Sequence, residues 1–361
     1  MKKALKIILI ILAVIVAIAL AYLAYVFISY HRVGDMDLNV EGANEQMEIL
    51  TTDKDYKIMS WNIGFGAYTA DFSFFMDGGT ESWAESPERL KENMADICEK
   101  MKSEKADIYS VQEVDIAGTR TYQLNECEVL KNAFPSPQFC SVTAQNFDSP
   151  FLFYPFNQPH GANKSAIISL SSFPISQAKR VELPVEDSVK KILDYDRCYS
   201  VMRIPGDGRD LVLYNFHLSA YTSDGSIATT QMEMVIADMQ REYEKGNWCI
   251  AAGDFNKDLL GNSSKGFNNT EVYTWAQPLP ENIFDNTAIS LVAPFDEQNP
   301  IPSSRNADSP YHPGQFVVTL DGFMVTDNVE VKDSKVLDYG FAYSDHNPVT
   351  MEFRLLDKTS K

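Results

Sequence analysis

Near its end the chain reads AYSDHNPVTMEF over residues 342–353, with Asp345 and His346 side by side ahead of a strand-like alternation. Asp, Asn and Pro are ordinary turn residues, so this stretch alone reads as a polar turn opening a strand. Similar residues recur elsewhere. Glu113 closes the apolar run DIYSVQE, where a carboxylate is costly unless it is paired or binds a metal. His217 stands in the β-pattern NFHLS, and Asn62 follows the apolar KIMSW. In AAGDFN, Asp254 and Asn256 lie two apart, so on a strand their side chains point the same way. Asp321 interrupts the apolar stretch QFVVTLDGFMV and needs a partner such as His346. A histidine held in one tautomer by an acid is a recurring means of taking a proton from water near neutral pH. Each residue has an ordinary reading as a turn residue or a satisfied core polar group. Five strands that each deliver an acid, an amide or an imidazole at one end are harder to assign to chance.

The elements that must position these groups follow a doubled plan. KIMSWNIG leads to a helix, with Ser86 as cap and Pro87 in the first turn, in which Leu90, Met94, Ile97 and Met101 recur at helical spacing. The strand DIYSVQE follows. LVLYNFHLS then leads to a helix capped by Asp224 or Ser226, with Met232, Val235, Ile236 and Met239 on one face, and NWCIAAGDFN follows as a strand. Ligand sites of α/β folds gather where strands run out at their carboxyl ends, so two such units facing each other would surround one cleft. Further strands fit SAIISL, CYSVMRIP, QFVVTLDGFMV and VTMEFRL. Residues 261–315 hold seven prolines and little periodicity. Loops that long are usually functional or mobile. They and residues 64–83 are the expected substrate-reading loops. Phe72, Phe74, Phe75, Trp83 and Trp275 would stack on bases, meet lipid, or belong to the core.

The 361 residues have an ordinary globular composition, 45% hydrophobic and 22% charged. Residues 7–30 contain no charge and are long enough to span a bilayer. A secretory signal usually has a shorter apolar core, although the small residues between Ala17 and Ala21 are compatible with cleavage. Lys2, Lys3 and Lys6 before the span and Arg32 after it favour a cytoplasmic N-terminus with the body outside. The expected organisation is a cytoplasmic end (1–6), a transmembrane anchor (7–30), a linker (31–52) and one domain (53–361). No acid precedes Asp35, so the segment through Arg32 carries +4 and the remainder, with 27 basic and 50 acidic residues, carries −23 within the net −19 of the chain. That balance does not suit a general nucleic-acid coat, which needs basic patches. The five cysteines are scattered, with no CxxC pair, and suggest neither a zinc site nor a disulfide framework.

The order QE, His217, GDFN, Asp321 and SDHNP resembles the endonuclease/exonuclease/phosphatase superfamily, over roughly Tyr56 to Leu356. The resemblance implies an α/β (α+β) four-layer sandwich, two mixed β-sheets packed face to face with outer helices, here preceded by one transmembrane helix. It implies a divalent-metal-dependent phosphoesterase using Mg2+, with Mn2+ as a substitute. Glu113 would be the principal metal ligand, helped by Asn62 and Asp345. Magnesium suits such a set because it prefers few carboxylates together with waters and a phosphate oxygen. His346 would be the general base, oriented by Asp321 from the neighbouring strand. Asp254 and Asn256 would place the attacking water and the phosphoryl oxygens, His217 would contact the phosphate or help the leaving group, and Arg197 would bind phosphate. Abasic-site endonucleases place no histidine at the position of His217. Inositol 5-phosphatases carry a Cys-Asp-Arg element where this chain has TLDGFMV. The implied substrate is a phosphodiester or phosphomonoester, in nucleic acid or in a lipid head group such as that of sphingomyelin. The apolar N-terminal span, not the resemblance, places the chain in a cell membrane as a single-pass protein, and no protein partner is predicted. The rival reading is a non-catalytic binding or adhesion module that retains the sandwich.

Overall fold

The computed structural model describes residues 2–187, 189–192, 194–220, 225–269 and 275–357. The chain opens with α1 (Lys2–Ser29), then β1 (Met36–Asp37), β2 (Val40–Glu41), β3 (Asp55–Asn62), α2 (Pro87–Glu104), β4 (Ile108–Gly118) and α3 (Glu126–Ala133). It continues through β5 (Cys140–Asp148), β6 (Asn163–Ser171), β7 (Gln177–Glu182), β8 (Cys198–Pro205), β9 (Asp210–His217), α4 (Ser226–Glu244) and β10 (Trp248–Asp254). It closes with α5 (Ser263–Gly266), β11 (Ile289–Val292), β12 (Ser304–Arg305), β13 (Val317–Val318), β14 (Asp321–Thr326), β15 (Val329–Val336) and β16 (Val349–Leu355).

Two mixed seven-stranded sheets, ordered β1-β7-β8-β9-β10-β14-β11 and β15-β16-β3-β4-β6-β5-β2, form the body. Their inner faces share one core, with Ile58, Met351 and Phe353 from one sheet and Leu211, Leu213, Ile250 and Phe323 from the other. The outer faces carry the helices. Leu90, Met94, Ile97 and Met101 of α2 pack over Trp61 and Val111. Met232, Val235, Ile236 and Met239 of α4 pack over Val212, Tyr214, Cys249 and Ala251. The period-two alternation along β9 sends Leu211 and Leu213 to the shared core and Val212 and Tyr214 to α4. The fold is thus the expected four-layer sandwich.

Helix α2 begins as its sequence indicates: Ser86 accepts a hydrogen bond from Arg89 N at 3.1 Å, and Pro87 follows. Helix α4 does not begin on the expected side-chain cap. Gly225, with φ of 67°, occupies the cap position and Ser226 is the first helical residue, while Asp224 lies outside the described residues.

Three expectations change. Residues 31–52 do not hang free as a linker. β1 and β2 lie within them and extend one edge of each sheet, and Leu50 is fully buried. The acids around Met36, Leu38 and Val40 hide their alternation, but Leu38 and Val40 pack on the shared core. QFVVTLDGFMV is not one strand. The chain leaves β13 at Thr319 and Leu320, whose carbonyls accept from Leu259 N and Phe255 N, and enters β14 at Asp321. β14 and β16 lie in different sheets, so Asp321 reaches His346 across the sandwich and not from a neighbouring strand.

Candidate active site

The topology gathers the polar residues at one end of the sandwich. Parallel β3 and β4 run to that end in one sheet, and parallel β9 and β10 in the other. The antiparallel strands β14 and β16 start there, so Asp321 opens β14 and His346 stands just before β16. Two buried amides stitch the sheets together beneath the cleft: Gln112 Nε2 donates to Asn215 Oδ1 at 2.8 Å, and Asn215 Nδ2 to Ile168 O at 3.1 Å. Gln112, read only as part of a QE pair, is therefore a cross-sheet tie. Trp61 Nε1 donates to His346 O at 2.8 Å and fixes the last loop. Gly253 is required where β10 meets β9, because a Cβ there would lie 2.1 Å from Phe216 O.

Glu113 sits on a break in the β4–β6 register, not at a strand end, and adopts φ of 54°. A non-glycine residue there costs on the order of 1–3 kcal/mol and persists only where its surroundings impose it. Asn62 Nδ2 donates to Glu113 Oε1 at 3.1 Å and to Asp254 Oδ2 at 3.1 Å, while its Oδ1 accepts from Gly64 N at 3.0 Å. Asn62 thus turns its nitrogen, not its oxygen, toward the two carboxylates. Tyr195 OH donates to Glu113 Oε2 at 3.1 Å. Asp254 Oδ1 accepts from Asn256 N at 2.8 Å, and Asn256 Nδ2 donates to Leu218 O.

His346 Nδ1 lies 2.8 Å from Asp321 Oδ2, which also accepts from Ser303 Oγ at 2.7 Å. Its Nε2 faces Asp254 Oδ2 at 3.7 Å, and His217 Nε2 approaches the same oxygen at 3.5 Å. Burial works against protonation of His346, but Asp321 and Asp254 outweigh it and hold the imidazole well above its ordinary range. His217 is pushed well below that range by burial, then by Arg197 and His346, and is neutral. Burial raises Asp254 to about 7, with Asp321 adding to the rise and His346 opposing it. Asp345 rises to about 6 through burial and the nearby Glu113, against His346 and Arg305. Arg197 donates to Leu218 O and Asp194 Oδ1, and its Nε has no partner. Glu113, Tyr195, Arg197, His217, Asp254, Asn256, Asp345 and His346 line one cleft of about 500 Å3, while Asn62 and Asp321 stand behind it.

Two groupings have donor sets for a cation. Asp254, Asp321 and His346 bring ligand atoms within 4.8 Å of one another. There, however, His346 Nδ1 is already committed to Asp321, which suits a proton-handling triad. Glu113 and Asp345 offer carboxylate oxygens, the donors a hard cation prefers. Burial first and the nearby Glu113 second raise Asp345, and a cation held by these carboxylates would offset both. The residues present therefore fit a hard divalent cation on that side.

Several residues of the cleft carried no readable signal. Arg120 is buried, pairs with Asp115 through Nε and Nη2 at 2.9 and 2.7 Å, donates to Tyr195 OH at 3.1 Å, and lies 3.8 Å over the Phe65 ring. It braces Tyr195 behind Glu113. Arg305, also buried, donates to the carbonyls of Thr69, Phe72, Asn306 and Ser309 and binds two long loops together. Of the aromatics in those loops, Phe72 and Phe74 are core residues, Phe75, Trp83 and Trp275 are half-buried, and Phe74 and Trp275 also line the cleft. Removing one partner of a buried ion pair leaves the other charge uncompensated, typically at about 3–5 kcal/mol. Arg120→Met is therefore expected to lower the unfolding free energy by an amount of that order, read from the shift of the urea unfolding curve.

Facing mixed sheets with outer helices and strand-end polar groups around one cleft define a phosphoesterase-type sandwich. Residues 59–346 match the model of the Endonuclease/Exonuclease/phosphatase family, and the chain belongs to that family. Members of the family are hydrolases acting on phosphoester bonds. No curated protein sequence matches the chain. An endonuclease/exonuclease/phosphatase from Beutenbergia cavernae superposes with a TM-score of 0.55 at 19% identity, over 84% of this chain and 72% of that one. ANGEL2, a 2',3'-cyclic phosphatase, superposes with a TM-score of 0.54 at 17% identity, over 89% and 99%. A family protein from Leptotrichia buccalis gives 0.54 at 16% identity, over 83% and 100%. At these identities the likeness is one of fold.

Proposed function

We propose that the chain is a membrane-anchored, divalent-metal-dependent phosphoesterase that hydrolyses a phosphodiester or phosphomonoester by activating water. The observation that carries this reading is His346 held between Asp321 and Asp254 in the same cleft as the carboxylates of Glu113 and Asp345. Glu113 and Asp345 would hold the cation, and Asn62 orients Glu113 and Asp254 through its amide nitrogen. The chemistry a divalent cation supplies there is neutralisation of charge developing on phosphoryl oxygens. Asp321 keeps the proton on Nδ1 of His346, which leaves Nε2 to take the proton of the attacking water. Asp254 and Asn256 place that water, His217 meets the phosphoryl oxygens as a neutral imidazole, and Arg197 directs its free Nε–H to the phosphate. The intact set of residues favours this reading over a non-catalytic binding module with the same sandwich. The test is a screen of the detergent-solubilised full chain, with Mg2+ or Mn2+, against DNA, RNA, sphingomyelin, phosphoinositides and inositol phosphates. The reading expects metal-dependent hydrolysis of at least one class. Inertness toward all of them favours the binding module.

The anchor reading rests on α1. It is 28 residues long with a mean hydropathy of 3.2 over its most apolar window, and its apolar residues are exposed over almost its whole length. The body (residues 53–361) then lies outside the cell, with the three lysines inside. Protease added to intact cells should digest the body. A body protected until lysis would reverse the orientation.

A further inference from the structure

Residues 149–159, SPFLFYPFNQP, contain no charged side chain. They form a closed loop between β5 and β6, pinched where Leu152 bridges Gly161 and where His160 N donates to Tyr154 O at 3.1 Å. At its tip Phe153, Tyr154 and Phe156 are 52%, 62% and 85% exposed. Outside α1, the described residues have only one other exposed large aromatic, Tyr311. Clustered exposure of this kind marks a binding surface in a soluble body.

The loop is not at an arbitrary place. Tyr25 OH accepts from Phe151 N at 3.1 Å, and Tyr22 OH accepts from Phe153 N at 3.0 Å. The Tyr22 and Phe153 rings meet edge to face at 5.2 Å, and Val26 packs with Leu152 and Ile192. Tyr22 and Tyr25 lie in the last two turns of α1, within about 10 Å of its end at 1.5 Å rise per residue. A spanning helix places those turns at the membrane–water boundary, where tyrosines gather. Whatever is bonded to them lies at that depth too. The chain beyond α1 leaves no slack, since Arg32 Nη2 donates to Leu183 O at 2.7 Å and β1 and β2 join the sheets directly.

We propose that the loop over residues 149–159 is an interfacial docking loop that seats the cleft against a phospholipid bilayer. The inference rests on the reading of α1 as a membrane span. Aromatic side chains with no neighbouring charge suit the headgroup–acyl boundary, about 5–10 Å deep. The tyrosine hydroxyls of α1 satisfy loop N–H groups that water would not reach there. Tyr154 also ties the loop to the site: its ring lies 6.0 Å from that of Phe75, Phe75 lies 5.7 Å from His160, and His160 lines the cleft. A docked loop therefore opens the cleft toward phosphoesters carried by the membrane.

The test uses the full chain in phosphatidylcholine vesicles with one labelled cysteine at a time. All five native cysteines are buried, so an introduced thiol is labelled selectively. An environment-sensitive fluorophore at Phe156→Cys should shift to the blue and be quenched by a nitroxide on the lipid acyl chain, as should one at Leu12→Cys within α1. A label at Lys332→Cys on β15, at the far edge of its sheet from β5, should show neither effect. If position 12 is quenched and position 156 behaves like position 332, the loop stays in water and the proposal falls. If position 156 is shielded from water but not quenched by the lipid nitroxide, the loop packs on protein, a second copy included, and the proposal falls. If position 12 is itself unquenched, the anchor reading fails and takes the proposal with it.

Discussion

His346→Ala is expected to slow turnover by a factor on the order of 10² or more, the usual scale for a positioned general base. Asp321→Asn is expected to cost a comparable amount. Its amide cannot keep the proton on Nδ1 or stabilise the imidazolium, and the 2.8 Å contact shows that the pair acts through one atom. The double variant should be little slower than either single one, because residues that work as a unit are non-additive. The pH dependence separates this from loss of structure. Asp321 and Asp254 hold His346 above its ordinary range, so activity in the native chain should rise as the pH climbs past neutrality and Nε2 loses its proton. Removing the Asp321 charge lowers that range, so the acid limb of Asp321→Asn should move to lower pH even as the maximum falls. Penalties that multiply in the double variant, or an acid limb that does not move, would dissolve the dyad.

Glu113→Ala should weaken magnesium binding by more than the factor of about 10 to 100 typical of losing a mere supporting partner of a metal ligand, and should remove most of the rate. Calorimetry on the native chain should also show binding that weakens as the pH falls. Asp345 is raised to about 6 by burial and by Glu113, so protons compete for the site as the pH drops through 6. Unchanged magnesium affinity in Glu113→Ala would remove Glu113 from the site. Affinity that stays flat from pH 8 to 5 would remove Asp345. Folding should tolerate the substitution, because alanine carries the same backbone strain as glutamate at this positive φ and the side-chain bonds lost are those to Asn62 and Tyr195.

Much of this was legible in the chain because the elements that position the site follow local rules. The α2 cap at Ser86 and the faces of both large helices appear where the 3.6-residue spacing puts them. What stayed hidden depends on distant residues. No local pattern says that Asp321 and His346 belong to opposite sheets, or that QFVVTLDGFMV breaks at Thr319 to reach Leu259. Strand β15 (VEVKDSKV) reads as a polar segment because it is a solvated sheet edge. Tyr195 and Arg120 become visible only when the fold brings residues 75 apart into one hydrogen bond. The charge on Arg120 would ordinarily place it at the surface; Asp115 allows its burial.

The most direct measurement is hydrolysis of bis(4-nitrophenyl) phosphate by the full chain in water enriched in oxygen-18, with magnesium, beside Asp254→Asn. Attack of a positioned water on phosphorus predicts label in the phosphoryl product, no turnover after chelation of the metal, and little turnover in the variant. Label in the nitrophenol, or equal turnover by the variant or without metal, would contradict the account.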